Sequence, residues 1–258
     1  MSPTPLELCE DFLVHAPPRS DLIAHVTNGY VCIPRAPSGT IVQRIRLADG
    51  GEVHAAVKQV RALAREAEQT RAAWWVGELS TPDDVIDLLL AEGLEPDSEK
   101  PLLASLILER PPKGTPSSIE IERVQSLNHF LLAQEIDLIT TGMPAEERER
   151  MGDVNRALWE VVQREGLVHT YLARVEGRPV AFARAAYGKA GVALIGGGTL
   201  EEERGKGYYT ALVHARWEAA VASGTPLLFA QALPLSRPIL QRLGFEQVGE
   251  IRLLVDQL

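Results

Sequence analysis

Residues 201–220 read EEERGKGYYTALVHARWEAA. Three carboxylates, Glu201, Glu202 and Glu203, run into Arg204-Gly205-Lys206-Gly207, and a run with helical spacing begins at Tyr208 and Tyr209. The preceding VALIGGG, 192–198, has the character of a buried strand. The order is therefore strand, glycine-rich loop, helix. The first turn of a helix leaves backbone N–H groups unpaired and carries partial positive charge, so it favours an anion. Gly205 and Gly207 let a ligand approach the backbone with no Cβ in the way, and Arg204 and Lys206 add charge. The stretch reads either as a phosphate cradle or as a tight turn with a solvated face. It is neither the phosphate loop G-x-x-x-x-G-K-[ST] nor the dinucleotide fingerprint G-x-G-x-x-G.

Downstream, PLLFAQAL reads as a strand, SRPILQRLGF as a short helix and EQVGEIRLLV as a last strand. Upstream, IEIERVQS is a short strand, 127–140 a helix, and 144–166 a second helix opening on Pro144 and acids. Residues 168–200 form a strand series, turned at Glu176-Gly177 and again at 188–191. The first half opens with turn-rich residues 1–50, with short β-prone runs at 30–33 and 40–47. An amphipathic helix then carries Val53, Ala56, Val57, Val60, Leu63 and Ala64 on one face. The strand RAAWWVGEL, the helix of STPDDVIDLLLAEGL and the strand PLLASLILE follow, with Trp74-Trp75 expected in the core. Both halves therefore run helix, strand, helix, strand, which suggests a repeat whose first copy is truncated. ERPPKGTPSS has the composition of a linker. The expected organisation is a unit over 1–110, a linker over 111–118 and a domain over 119–258.

The chain has 258 residues, 45% hydrophobic and 24% charged, with a net charge of −9. This balance argues against non-specific nucleic-acid binding, which needs a basic surface, and weakly favours cationic partners such as amines. Cys9 and Cys32 form no C-x-x-C pair, and the six histidines, His214 included, show no metal-ligand spacing. No signal peptide is expected at the N-terminus, and no run reaches the ~18 apolar residues of a membrane span. A cytoplasmic protein with no metal, nucleic-acid or membrane partner is the expectation.

Arg204-Gly205-Lys206-Gly207-Tyr208-Tyr209 resembles the R-x-x-G-x-G/A acyl-CoA motif of the GNAT (GCN5-related N-acetyltransferase) superfamily, with Tyr209 where the family has Gly or Ala. SRPILQRLGFEQVG is similar to that family's next helix, and the resemblance covers about 119–258. It resembles a subgroup with an added N-terminal GNAT-like half. The implied fold is mixed α/β: a central, mostly antiparallel sheet flanked by helices, with a truncated N-terminal unit. The implied cosubstrate is acetyl-CoA, its pyrophosphate on the backbone of Arg204, Gly205, Lys206, Gly207, Tyr208 and Tyr209. Its arm would run along Gly198, Thr199 and Leu200, with the acetyl carbonyl near 195–198 and the strand containing 227–232 splayed away.

The implied reaction is direct attack of a primary amine on the thioester. The acceptor would be a small molecule or a peptide, and a second copy of the chain in a homodimer is compatible with the reading. Many relatives place an acidic tyrosine where this chain has Leu240. Tyr208, Tyr209 and Ser236 stand in as candidate acids, and Glu135, Asp137 and Glu201–Glu203 as candidate bases. The competing readings are a non-catalytic acyl-CoA sensor or scaffold, and a structural domain that binds no cofactor.

Overall fold

The computed structural model describes residues 3–15, 22–36, 39–114 and 119–258. Residues 115–118 of the expected linker lie outside them. The chain divides into two compact units, one of 1–106, 231–238 and 247–258, the other of 107–230 and 239–246. The last strand thus belongs with the N-terminal residues, and the chain passes between the units four times.

The first unit begins with α1 (Pro5–Glu10) and α2 (Phe12–His15), then β1 (His25–Val26), β2 (Val31–Ala36) and β3 (Gly39–Gln43). It continues with α3 (Gly50–Glu66), β4 (Arg71–Val76), α4 (Val85–Ala91), β5 (Glu95–Pro96) and β6 (Leu102–Leu108). Its sheet runs β1-β2-β3-β4 and then takes β12 (Glu246–Gln257), with β6 beyond; β5 also pairs with β12. β3 and β4 are parallel, whereas β12 is antiparallel to β4, placing Leu254 opposite Trp74 and Val255 opposite Ala73. Alternation along β4 sends Ala72, Trp74 and Val76 into a core with Val53, Val57 and Val60 of α3 and Leu89 of α4. Asp256 ties the last strand to α3: Arg61 donates through Nε and Nη2 to its two carboxylate oxygens at 2.7 and 3.0 Å.

The second unit comprises β7 (Glu120–Arg123), α5 (Leu127–Thr140), α6 (Ala145–Arg150), α7 (Gly152–Glu165), β8 (Val168–Val175), β9 (Arg178–Tyr187) and β10 (Val192–Thr199). A 3-10 turn (Glu201–Glu203), α8 (Tyr208–Ala222), β11 (Leu228–Ala232) and α9 (Arg237–Arg242) follow, the end of β11 and the start of α9 falling within the 231–238 segment of the first unit. The expected helix over 144–166 is broken at Met151, the C-cap of α6, and resumes at Gly152. The sheet order is β11-β10-β9-β8-β7. Only β10 and β11 are parallel. α5 and α7 bury Phe130, Ala133, Ile136 and Trp159 against Leu172 and Phe182. His214 is buried in α8.

Asp256 is buried and Arg61 only partly exposed, so losing the carboxylate leaves a guanidinium short of its partner. Asp256→Asn should lower the unfolding free energy by about 1–3 kcal/mol in urea titrations, with Arg61→Met/Asp256→Leu recovering part of the loss.

Candidate active site

β10 is where the second unit's sheet opens. It pairs with β11 only at Val192–Leu228 and Ala193–Phe229. Against β9 its register shifts between Leu194 and Gly197, and Gly196 sits at φ 67°, the left-handed region that favours glycine. The backbone of Gly196 and Gly197 is solvent-exposed at this bulge. Gly198 faces α5, where a Cβ would lie 2.5 Å from Thr140 Oγ1, so only glycine fits. Gly197 faces α8, and a Cβ there would touch Tyr209 Cε2 at 3.5 Å. The ring of Tyr209 thus lies beside the bulge on one side, and the end of α5 closes on it from the other.

The loop into α8 follows the same logic. Gly205 and Gly207 have φ of 79° and 88°, and a Cβ on either would meet open space. Among the described residues no side chain caps α8, so the N–H groups of its first turn are presented outward. Tyr208 is buried at the mouth, and Tyr209 is half-buried. The two cations of the loop differ. Lys206 donates to Glu203 Oε2 at 2.9 Å, and Arg178 donates to Glu203 Oε1 at 2.5 Å. Glu203 is therefore not a free surface carboxylate. Its hydrogen bond from Lys206 holds it below the ordinary carboxylate range. Arg204 stays exposed, with Nε 3.4 Å from the Thr199 carbonyl. The backbone and Arg204 are left to meet an anion, and the residues present fit a pyrophosphate.

The first unit has a matching helix start without this opening. Asp49 caps α3 by accepting from Glu52 N at 3.0 Å, and Glu52 accepts from Ala48 N at 2.8 Å. Beyond the parallel pairing of β3 and β4, Thr81 N donates to Ile45 O and Leu47 N to Thr81 O, both at 3.1 Å. The gap is zipped and the helix end is filled by the protein itself.

Polar groups missed in the sequence complete the site. Arg184, on β9 beside Gly196, donates to Asp137 Oδ2 at 2.7 Å and to Gln134 Oε1. Gln134 in turn donates to Asn155 Oδ1 at 2.9 Å. Asp137 is thereby held over the bulge. Glu135 points elsewhere, to Arg148 on the surface at 3.0 Å. On the α8 side Arg216 is buried, its Nε on Leu212 O at 2.9 Å, its Nη1 on Arg184 O at 3.2 Å and its guanidinium 5.8 Å from the Tyr209 ring centre. Burial pulls its pKa down from the usual arginine value. Of the remaining candidates, Leu240 is buried, and Ser236 belongs to the first unit, its hydroxyl donating to Leu233 O at 3.2 Å. Among the described residues no helix is long and apolar enough to cross a membrane, and no group of three His, Cys, Asp or Glu side chains could hold a metal ion.

No protein-family model matches the chain, and no curated protein sequence matches it. Its fold is nonetheless that of solved GNAT proteins. A tandem GNAT protein from the clavulanic acid biosynthesis pathway, 14% identical, superposes with a TM-score of 0.64 over 88% of this chain and 78% of its own. A GCN5-related N-acetyltransferase from Kribbella flavida, 18% identical, gives 0.64 over 91% and 89%. A Staphylococcus epidermidis protein of unknown function, 10% identical, gives 0.68 over 92% and 94%. The mixed α/β GNAT fold expected from the sequence is the one observed, and its two-unit form is shared with the tandem protein.

His169, on β8 of the same unit, is lowered from 6.5 to about 4 by burial and by the Arg123 charge. The folded unit keeps the imidazole neutral while the unfolded chain takes up a proton below about pH 6.5. This contribution is fully present above that pH and lost as the pH falls toward 4. Between pH 7.5 and 5, urea titrations should show about 1–2 kcal/mol more loss for the wild type than for His169→Gln.

Proposed function

We propose that the second unit is an acetyl-CoA-dependent N-acetyltransferase acting on a primary amine of a small molecule or a peptide. The observation that carries this reading is the juxtaposition on one strand–loop–helix of a sheet opened at a glycine bulge and a helix mouth left uncapped. The likeness in fold to GNAT proteins supports it.

Each residue then has a task. The N–H groups from Gly205 to Tyr209, with Arg204, would hold the pyrophosphate. Gly198, Thr199 and Leu200 would guide the arm along the edge of β10. Bound acetyl-CoA supplies the activated acyl group. The exposed backbone at Gly196 and Gly197 would donate to a carbonyl oxygen as it gains charge. Asp137, fixed by Arg184, would take the proton from the acceptor's ammonium, directly or through water. Tyr209, lying on Gly197, would return a proton to the departing thiolate, a task the buried Leu240 cannot perform. Atoms balance: the C–N bond forms as the C–S bond breaks, the first ammonium proton goes to Asp137, and the second, released from the nitrogen as the amide forms, replaces the proton that Tyr209 gives to the thiolate. The first unit, capped and zipped, would hold no second cosubstrate.

Calorimetric titration with acetyl-CoA should give one site per chain, abolished by Gly207→Trp. In an amine screen, Tyr209→Phe and Asp137→Asn should each lower kcat by about 10²–10⁴ with acetyl-CoA affinity unchanged. Binding without turnover of any amine would favour the sensor instead. Absence of binding would overturn both.

A further inference from the structure

We propose that the first unit carries a second small-molecule site, for a carboxylate with a flat apolar body. It lies on the face of the sheet turned away from α3. Because strands alternate, the residues of β4 that do not enter the α3 core, Arg71, Ala73 and Trp75, share the opposite face. Their cross-strand partners on β12 are Gln257, Val255 and Leu253, in that order. These six side chains line a cavity of about 310 Å³, whose rim is the segment 95–100. That volume is at the lower end of the range of about 300–1,000 Å³ typical of ligand sites.

The floor is apolar, and the polar groups around it are not equivalent. Asp97 is 6% exposed and satisfied: it accepts from Arg71 Nη2 and from Glu99 N and Lys100 N, the last two at 2.8 Å. Burial pushes its carboxyl up, but those N–H groups and the guanidinium outweigh it and hold it below the ordinary value. The pair offsets both charges, and what Arg71 keeps is N–H donors. Among the described residues Asp97 is its only side-chain partner, its side chain is 34% exposed, and its fork is fixed at the cavity wall with donors to spare. A planar carboxylate matches such a fork in two bonds. Lys100 adds a second cation at the rim. Glu95 and Glu99, also on the rim, repel anions and repel the phosphates of a nucleotide most, so a carboxylate would be held here by hydrogen bonds to the Arg71 fork and not by net charge. Trp75 and Leu253 provide the surface for the body of the ligand.

Saturation-transfer NMR with phenylacetate tests this on the full-length protein, with phenethylamine and inorganic pyrophosphate as charge controls. Phenylacetate should show saturable transfer, weakened at least tenfold by Arg71→Gln and by Ala73→Leu. The second variant fills the floor and leaves the Arg71–Asp97 pair intact, which guards against a misfolded first variant. Gly207→Trp should leave the signal unchanged, so this result is independent of acetyl-CoA binding. No saturable transfer from phenylacetate, transfer undiminished in both variants, or a preference for phenethylamine or pyrophosphate would overturn the proposal.

Discussion

Parallel pairing between β10 and β11 ends after two residue pairs, and the rest of the second unit is arranged around that break. A strand inside a sheet has to place its N–H and C=O groups on both sides. Past Ala193, β10 keeps β9 through a bulge and, among the described residues of this unit, has no further pairing with β11. The result is an open strand edge inside a packed unit, the arrangement that an extended ligand can complete as an added strand. The glycines make the opening possible. One residue in left-handed geometry turns the strand, and a second leaves room for Thr140 where any side chain would collide. The equivalent place in the first unit is closed by the bonds of Thr81 with Ile45 and Leu47, so the opening is a property of one copy and not of the repeat.

The two helix starts make the same contrast in energetic terms. A side-chain cap is worth about 1 kcal/mol, and α3 has one, reinforced by Glu52. α8 forgoes that stabilisation in favour of outward N–H groups. On the proposed reading, the open end of α8 is the place for an anion supplied from outside. Glu203 adds to this by taking up Lys206 and Arg178, which steadies the loop without neutralising Arg204.

What could be read from sequence was local chemistry. The glycine-cation loop, the start of α5 at its Ser126 cap and the turn at Glu176-Gly177 all depend on residues within a few positions of each other. α1 was legible too, in the Thr4–Glu7 capping box, but the surrounding prolines read as turn. The break before Gly152 left a trace in Gly152-Asp153-Val154-Asn155, all weak helix formers, but the Glu- and Arg-rich run before it and the helical spacing after it read as one helix. Where the last strand goes was not legible: its apolar pattern suits any buried strand, and only long-range register puts Leu253 opposite Trp75. Arg184 and Arg216 were missed because charged residues are ordinarily exposed. Arg216 left a trace, since it stands seven residues after Tyr209 and so on the same helical face.

Those two arginines link the halves of the site. A buried guanidinium without a counter-ion costs several kcal/mol, and among the described residues Arg216 has no carboxylate partner. Its surroundings are carbonyls and phenols instead: Leu212 O, Arg184 O, the Tyr209 ring, and nearby the Tyr171 and Tyr187 hydroxyls, themselves 2.8 Å apart. What the charge gains in place of an ion pair is a fixed position for the Tyr209 ring and for the backbone at Arg184. The side chain of that same Arg184 leaves on the opposite face of β9 to grip Asp137 and Gln134. One strand residue is thus held by its carbonyl from the α8 side and holds a carboxylate on the α5 side. The separation between Asp137 and Tyr209 across the bulge is then set by two short, rigid connections, and neither group depends on a flexible loop for its placement. On the proposed reading, a proton taken by Asp137 on one face of the strand and one returned by Tyr209 on the other need that separation constant, and the buried arginine is the contact that fixes it.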